Sequence, residues 1–124
     1  MSTTNIRFYS GSLLLEGDLF IPKNATQVPG VVICHPHPLH GGDMRNNVIT
    51  GIFEAIEETQ IAALAFNFRG VGESEGTHSY GSGELEDALE ALKYLTSHPK
   101  IHGSSLAICG YSFGADIALK AAAN

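Results

Sequence analysis

Ser105-Leu106-Ala107-Ile108-Cys109-Gly110-Tyr111-Ser112-Phe113-Gly114 is the stretch whose reading decides the fold. Ser105 to Cys109 is a short, mostly apolar run of the kind that forms a buried strand, and it meets Gly110 abruptly. Beyond Ser112 the chain becomes alanine-rich and reads as a helix through Ala121-Ala122-Ala123. Gly110 to Gly114 fit the pattern Gly-x-Ser-x-Gly at that junction. A serine on a very sharp strand-to-helix turn needs neighbours two positions away without side chains. Such a turn lifts the hydroxyl above the sheet edge and aims the Phe113 amide and the positive end of the helix at one point. The pattern points to Ser112 as a nucleophile; the bland alternative is a glycine corner carrying a surface serine.

Working outward, Gly30 to Cys34 and Ile61 to Phe68 are two further buried strands. Between them, Asn46 is a good N-cap for a helix carrying Val48, Ile49, Ile52, Phe53 and Ile56 at helical spacing. A second helix is expected from about Glu84 to Ser97, with Leu85, Ala88, Leu89, Leu92 and Leu95 as its apolar stripe and acids in its first turn. Asn5 to Phe8 and Leu13 to Ile21, separated by Ser10-Gly11-Ser12, read as an antiparallel hairpin at the edge. Strand and helix then alternate three times. The expectation is one α/β domain over residues 1–124, a mostly parallel sheet with helices on both faces and an antiparallel edge hairpin. In such sheets function collects at the carboxyl ends of the strands, which here carry His35, Arg69 and Gly110.

Composition narrows the functional classes. The 124 residues are 44% hydrophobic and 16% charged, which suits one globular domain rather than a disordered segment. The net charge of −6, with no basic cluster, argues against a nucleic-acid surface. Met1 to Asn5 are polar with no apolar leader after them, and no run is long enough to span a membrane, so the chain reads as cytoplasmic. Cys34 and Cys109 lie inside apolar runs and read as reduced packing residues on neighbouring strands.

Cys34-His35-Pro36-His37-Pro38-Leu39-His40-Gly41-Gly42 follows the first buried strand. A loop in this position can supply a second backbone N–H to a developing oxyanion. Pro36 and Pro38 have no N–H, which leaves the His37 amide as first choice and Leu39 as second. A competing reading takes His35, His37 and His40, with Asp43 nearby, as metal ligands of a metal-dependent hydrolase. A third leaves the imidazoles bonded to loop carbonyls.

His-Pro-His-Pro-Leu-x-Gly-Gly, then Asn67-Phe68-Arg69-Gly70-Val71-Gly72-Glu73-Ser74-Glu75-Gly76, then Gly110-Tyr111-Ser112-Phe113-Gly114 together resemble a group of short bacterial α/β hydrolases related to dienelactone hydrolases and prolyl-peptidase-like esterases. The resemblance covers essentially the whole chain and implies the N-terminal half of the α/β-hydrolase fold. It implies Ser112 as nucleophile, the amides of His37 and Phe113 as oxyanion hole, a small-molecule acyl substrate and no cofactor.

The chain departs from that pattern after the serine. The acid and the histidine of the triad should follow the nucleophile, yet only Asp116 and no histidine lie between Phe113 and Asn124. The expectation is therefore a chain truncated after the nucleophile helix, nearly inert by itself, with its acid and histidine beyond Asn124. His78, in a Gly/Ser-rich loop, is a weaker candidate base, and Asp116 should face away from the site. Truncation would leave Ser105 to Cys109 as an apolar edge that favours association between copies. A non-catalytic binding protein on the same fold is the alternative from another class. Arg69 is expected to pair with Glu84 or Asp87 and so fix the Gly70 to Gly76 loop.

Overall fold

The computed structural model describes residues 3–124. β1 (Thr3–Ser10) and β2 (Leu13–Phe20) form the expected hairpin, reversed at Gly11, whose φ of 61° suits a residue without a Cβ. β3 (Val28–Cys34), β4 (Ala62–Phe66) and β5 (Ile101–Gly110) follow, with α1 (Asn47–Ile56) between β3 and β4, α2 (Ser82–Thr96) between β4 and β5, and α3 (Phe113–Ala122) after β5. The sheet order is β1-β2-β4-β3-β5. β3 is parallel to both β4 and β5, while β2 meets β4 antiparallel, with Asp18 opposite Ala65. The sheet is therefore mixed, a parallel trio extended by the hairpin.

Period-two alternation sends the strands' side chains to two separate cores. On one face Val32, Cys34, Leu64 and Phe66 pack with Ala88, Ala91 and Leu95 of α2 and with Ile117 and Ala121 of α3. On the other, Ile33, Ala63 and Ala65 pack with Met44 and with Ile49, Ile52, Phe53 and Ile56 of α1, joined by Cys109. Cys34 and Cys109 are on neighbouring strands, as expected, but on opposite faces. β4 is buried along its whole length, as its unbroken Ala-Ala-Leu-Ala-Phe run foretells.

Element ends differ from the sequence expectation for local reasons. Asn46 caps α1 as expected, its Oδ1 accepting from the amides of Val48 and Ile49. α2 begins two residues before Glu84, because the Glu84 carboxylate reaches back to accept from the Gly81 amide at 2.9 Å. β4 stops at Phe66, since Asn67 and Phe68 turn away to bond the neighbouring loop. β5 starts at Ile101 rather than Ser105; Ile101 pairs with Val28, and the ladder resumes at Leu106 opposite Gly30 after a register shift.

Candidate active site

The ends of β3, β4 and β5 deliver three loops to one sheet edge. At the end of β5, Ser112 has φ 59° and ψ −121°, a conformation that costs an L-residue about 1–3 kcal/mol. Ser112 is exposed, and α3 begins at the next residue. The kink is held on both sides: the Tyr111 amide donates to the Cys34 carbonyl at 3.2 Å, and the Ser112 carbonyl accepts from Ala115 at 2.9 Å. The flanking glycines are a matter of space. A Cβ on Gly110 would collide with the backbone of Gly114, and one on Gly114 with the carbonyls of Cys34 and His35.

The β3 loop turns toward the same place. The His37 carbonyl accepts from the amides of both His40 and Gly42 at 3.0 Å, which closes the loop into a short 3-10 turn at Pro38–His40. The Leu39 amide is occupied, donating to His37 Nδ1 at 3.1 Å. The amides of His37 and Phe113 donate to no protein acceptor among the described residues. Their side chains touch, with ring centroids 4.8 Å apart. Of the two donors named for the β3 loop, His37 is thus the one left unengaged.

His35 faces inward, fully buried. Its Nδ1 donates to the Pro36 carbonyl at 2.7 Å and its Nε2 accepts from the Phe68 amide at 3.1 Å. Burial pushes the imidazole down to about 4, against weaker upward pulls from the Pro36 carbonyl and Asp43. With both His35 nitrogens and His37 Nδ1 committed to the backbone, the loop does not present the ligand set of the metal reading. Among the described residues no group of three or more His, Cys, Asp or Glu side chains is arranged to hold a metal ion. The imidazoles of His35 and His37 instead bond loop backbone.

The β4 loop is tied to both neighbours. Asn67 Oδ1 accepts from the Met44 amide at 2.8 Å, and its Nδ2 donates to buried Glu16 at 2.8 Å. Arg69 pairs with fully buried Asp87 at 2.8 Å and with Glu86 at 2.9 Å, and the Asp87 bonds hold its guanidinium firmly charged. Of the two acids expected beside Arg69, Asp87 is the partner and Glu84 is not. Glu84 instead accepts from Ser79 N, Ser79 Oγ and Gly81 N. Burial opposes its charge, but these donors outweigh it and keep the carboxyl below its ordinary range. Asp116 lies on the outer side of α3, 3.1 Å from Lys120.

A cleft of about 430 Å³ opens between the β3 and β4 loops, bordered by Leu39, Gly42, Asp43, Gly70, Val71 and His78. His78, raised by the sequence only as a candidate base, packs its ring 5.7 Å from that of Phe113 and 5.0 Å from that of His37. Two supports escaped the sequence reading: Asn67 and Glu16 as clamps on the loops, and Tyr80 beside His78. The Asn67-Phe68-Arg69 motif drew notice, but nothing in one sequence shows which loop amide an asparagine will cap.

With this geometry in hand, solved structures give the decisive comparison. An α/β serine hydrolase homologue from Coxiella burnetii superposes with a TM-score of 0.85 at 37% identity, over 98% of this chain and 58% of that one. An α/β serine hydrolase without lid from Xanthomonas campestris matches with a TM-score of 0.83 at 30% identity, over 99% of this chain and 56% of that one. The fold is that of the α/β hydrolases. Within it, residues 84–124, from α2 to the end of α3, match the family described as BAAT / Acyl-CoA thioester hydrolase C terminal. An uncharacterised protein of Rickettsia prowazekii is 40% identical over 101 residues, 82% of this chain and 42% of its own length. The chain therefore spans only about half the length of the proteins it matches. No helix among the described residues is long and apolar enough to cross a membrane.

Proposed function

We propose that the whole protein is a serine hydrolase that cleaves an ester, thioester or amide of a small acyl compound through an acyl-enzyme at Ser112. The observation that carries this reading is the exposed Ser112 in a strained strand-to-helix kink, followed directly by the unengaged Phe113 amide, with His37 packed on the Phe113 ring. Similarity to α/β serine hydrolases of known structure supports it, as does the thioester-hydrolase family matched over α2 to α3.

In this mechanism the Ser112 hydroxyl attacks the substrate carbonyl and gives its proton to a histidine. An acid orients that histidine, and both residues come from the protein beyond Asn124. The amides of His37 and Phe113 hold the oxygen as it gains charge, aided by the N-terminus of α3. Water then releases the acid product from the acyl-enzyme. No step calls for a cofactor.

A fluorophosphonate probe tests the reading in the whole protein. Labelling that disappears in Ser112→Ala supports it. A probe that leaves the folded protein unmodified overturns it in favour of a non-catalytic protein on the same fold.

A further inference from the structure

We propose that Tyr80 and the imidazole of His37, braced by the buried ring of His78 between them, form a ledge that seats a flat aromatic group of the substrate beside Ser112. The proposal rests on the reading of Ser112 as nucleophile and adds the class of group that the site prefers.

The ledge begins at Phe113, the residue after the serine. From there rings follow one another in contact: Phe113 to His37 at 4.8 Å, His37 to His78 at 5.0 Å, and His78 to Tyr80 at 4.6 Å, the last pair edge to face at 73°. His37 also stacks on His40 at 4.6 Å. Tyr80 is 80% exposed, and Leu39 and Tyr111 on the adjoining loops are also exposed.

Two unfavourable local states support this one exposed ring. Tyr80 has φ 57°, a left-handed conformation that disfavours a tyrosine, and Gly81 follows at φ 113°. The turn is held there by Glu84, a fully buried carboxylate bonded to Ser79 and Gly81 on either side of Tyr80. The His78 side chain is only 7% exposed, and neither ring nitrogen has a hydrogen-bond partner among the described residues. Nδ1 lies 3.2 Å from Glu84 Oε2 without hydrogen-bond alignment. A buried ring with unmet polar atoms and a strained tyrosine are both unfavourable unless their placement is used.

Burial and the neighbouring imidazoles of His40 and His78 hold the His37 pKa below its ordinary value, with Glu84 pulling weakly the other way. An exposed tyrosine ring beside a partly exposed imidazole matches an aryl group better than a saturated ring or an anion.

Boronic acids test this without a leaving group, because they form reversible adducts on a nucleophilic serine. In the whole protein, phenylboronic acid should bind roughly threefold to tenfold more tightly than cyclohexylboronic acid, which has similar size but no π face. Tyr80→Gly, which suits the positive φ, and Tyr80→Asn, which tolerates it, should both erase that preference while fluorophosphonate still labels Ser112. Equal affinities in the wild type, or a preference that survives both substitutions, overturn the ledge and leave the nucleophile standing. Loss of both labelling and boronate binding in the wild type overturns the nucleophile and the ledge together.

Discussion

The Nε2 atom of His35 accepts a hydrogen bond from the Phe68 amide at 3.1 Å, joining the loop after β3 to the loop after β4. The bond exists only while the ring is neutral, because a protonated imidazole has no lone pair to offer. One buried side chain thus couples the geometry of the proposed oxyanion loop to acidity.

The sign of that coupling follows from linkage. The folded pKa of His35, about 4, lies below the ordinary value of 6.5, so the unfolded chain takes up a proton first as pH falls. The stability tied to neutral His35 is complete above about pH 6.5 and is lost as pH falls toward about 4, by roughly 3 kcal/mol. His35→Gln lacks this dependence. Urea unfolding of the two proteins should show their stability gap narrowing by about that amount between about pH 7.5 and about pH 4, and a constant gap would contradict the assignment.

Arg69 is the cation bonded to Asp87, whose side chain is fully buried. Arg69→Met strands that carboxylate in the interior and should lower unfolding free energy by about 3 kcal/mol. Glu86→Gln removes only the exposed arm of the pair, and denaturant titration should find a change below about 1 kcal/mol.

Glycine positions separate by the space around them. Gly114→Ala drives a methyl into the carbonyls of Cys34 and His35, and should cost about 3 kcal/mol and abolish probe labelling. Gly51→Ala, on exposed α1 surface with open space at its Cβ, should raise stability by roughly 0.5–1 kcal/mol and leave labelling intact. Thermal melts and a labelling gel on both variants read the contrast.

Ser112 sits at φ 59°, where glycine is relaxed and alanine is not. Ser112→Gly should therefore unfold at higher denaturant than Ser112→Ala, by about 1–2 kcal/mol, although neither is labelled. Equal stabilities would mean that the kink carries no strain.

Much of this was legible in the sequence because the deciding signals are local. A short apolar run such as Ala62–Phe66, closed by Asn67 and Gly70, reads as a strand buried on both faces, and Gly110 and Gly114 mark the kink by the side chains they lack. The Asn46 cap follows from helix-end chemistry within a single turn. Long-range choices were not legible. Glu84 and Asp87 both lie in the first turns of α2, and only the packed fold gives Arg69 to one and the Ser79–Gly81 turn to the other. Likewise, that His35 turns inward while His37 stays at the surface depends on Phe68, thirty-three residues away.

The placement of the two thiols on opposite faces of the sheet has a redox consequence. With β-structure between them, an oxidant cannot join Cys34 to Cys109 within one chain. Burial pushes both thiols up in pKa, and Cys34 is sealed completely. Of the two thiols, Cys109 is therefore the one open to modification, and no disulfide between them ties β3 to the strand leading to the nucleophile.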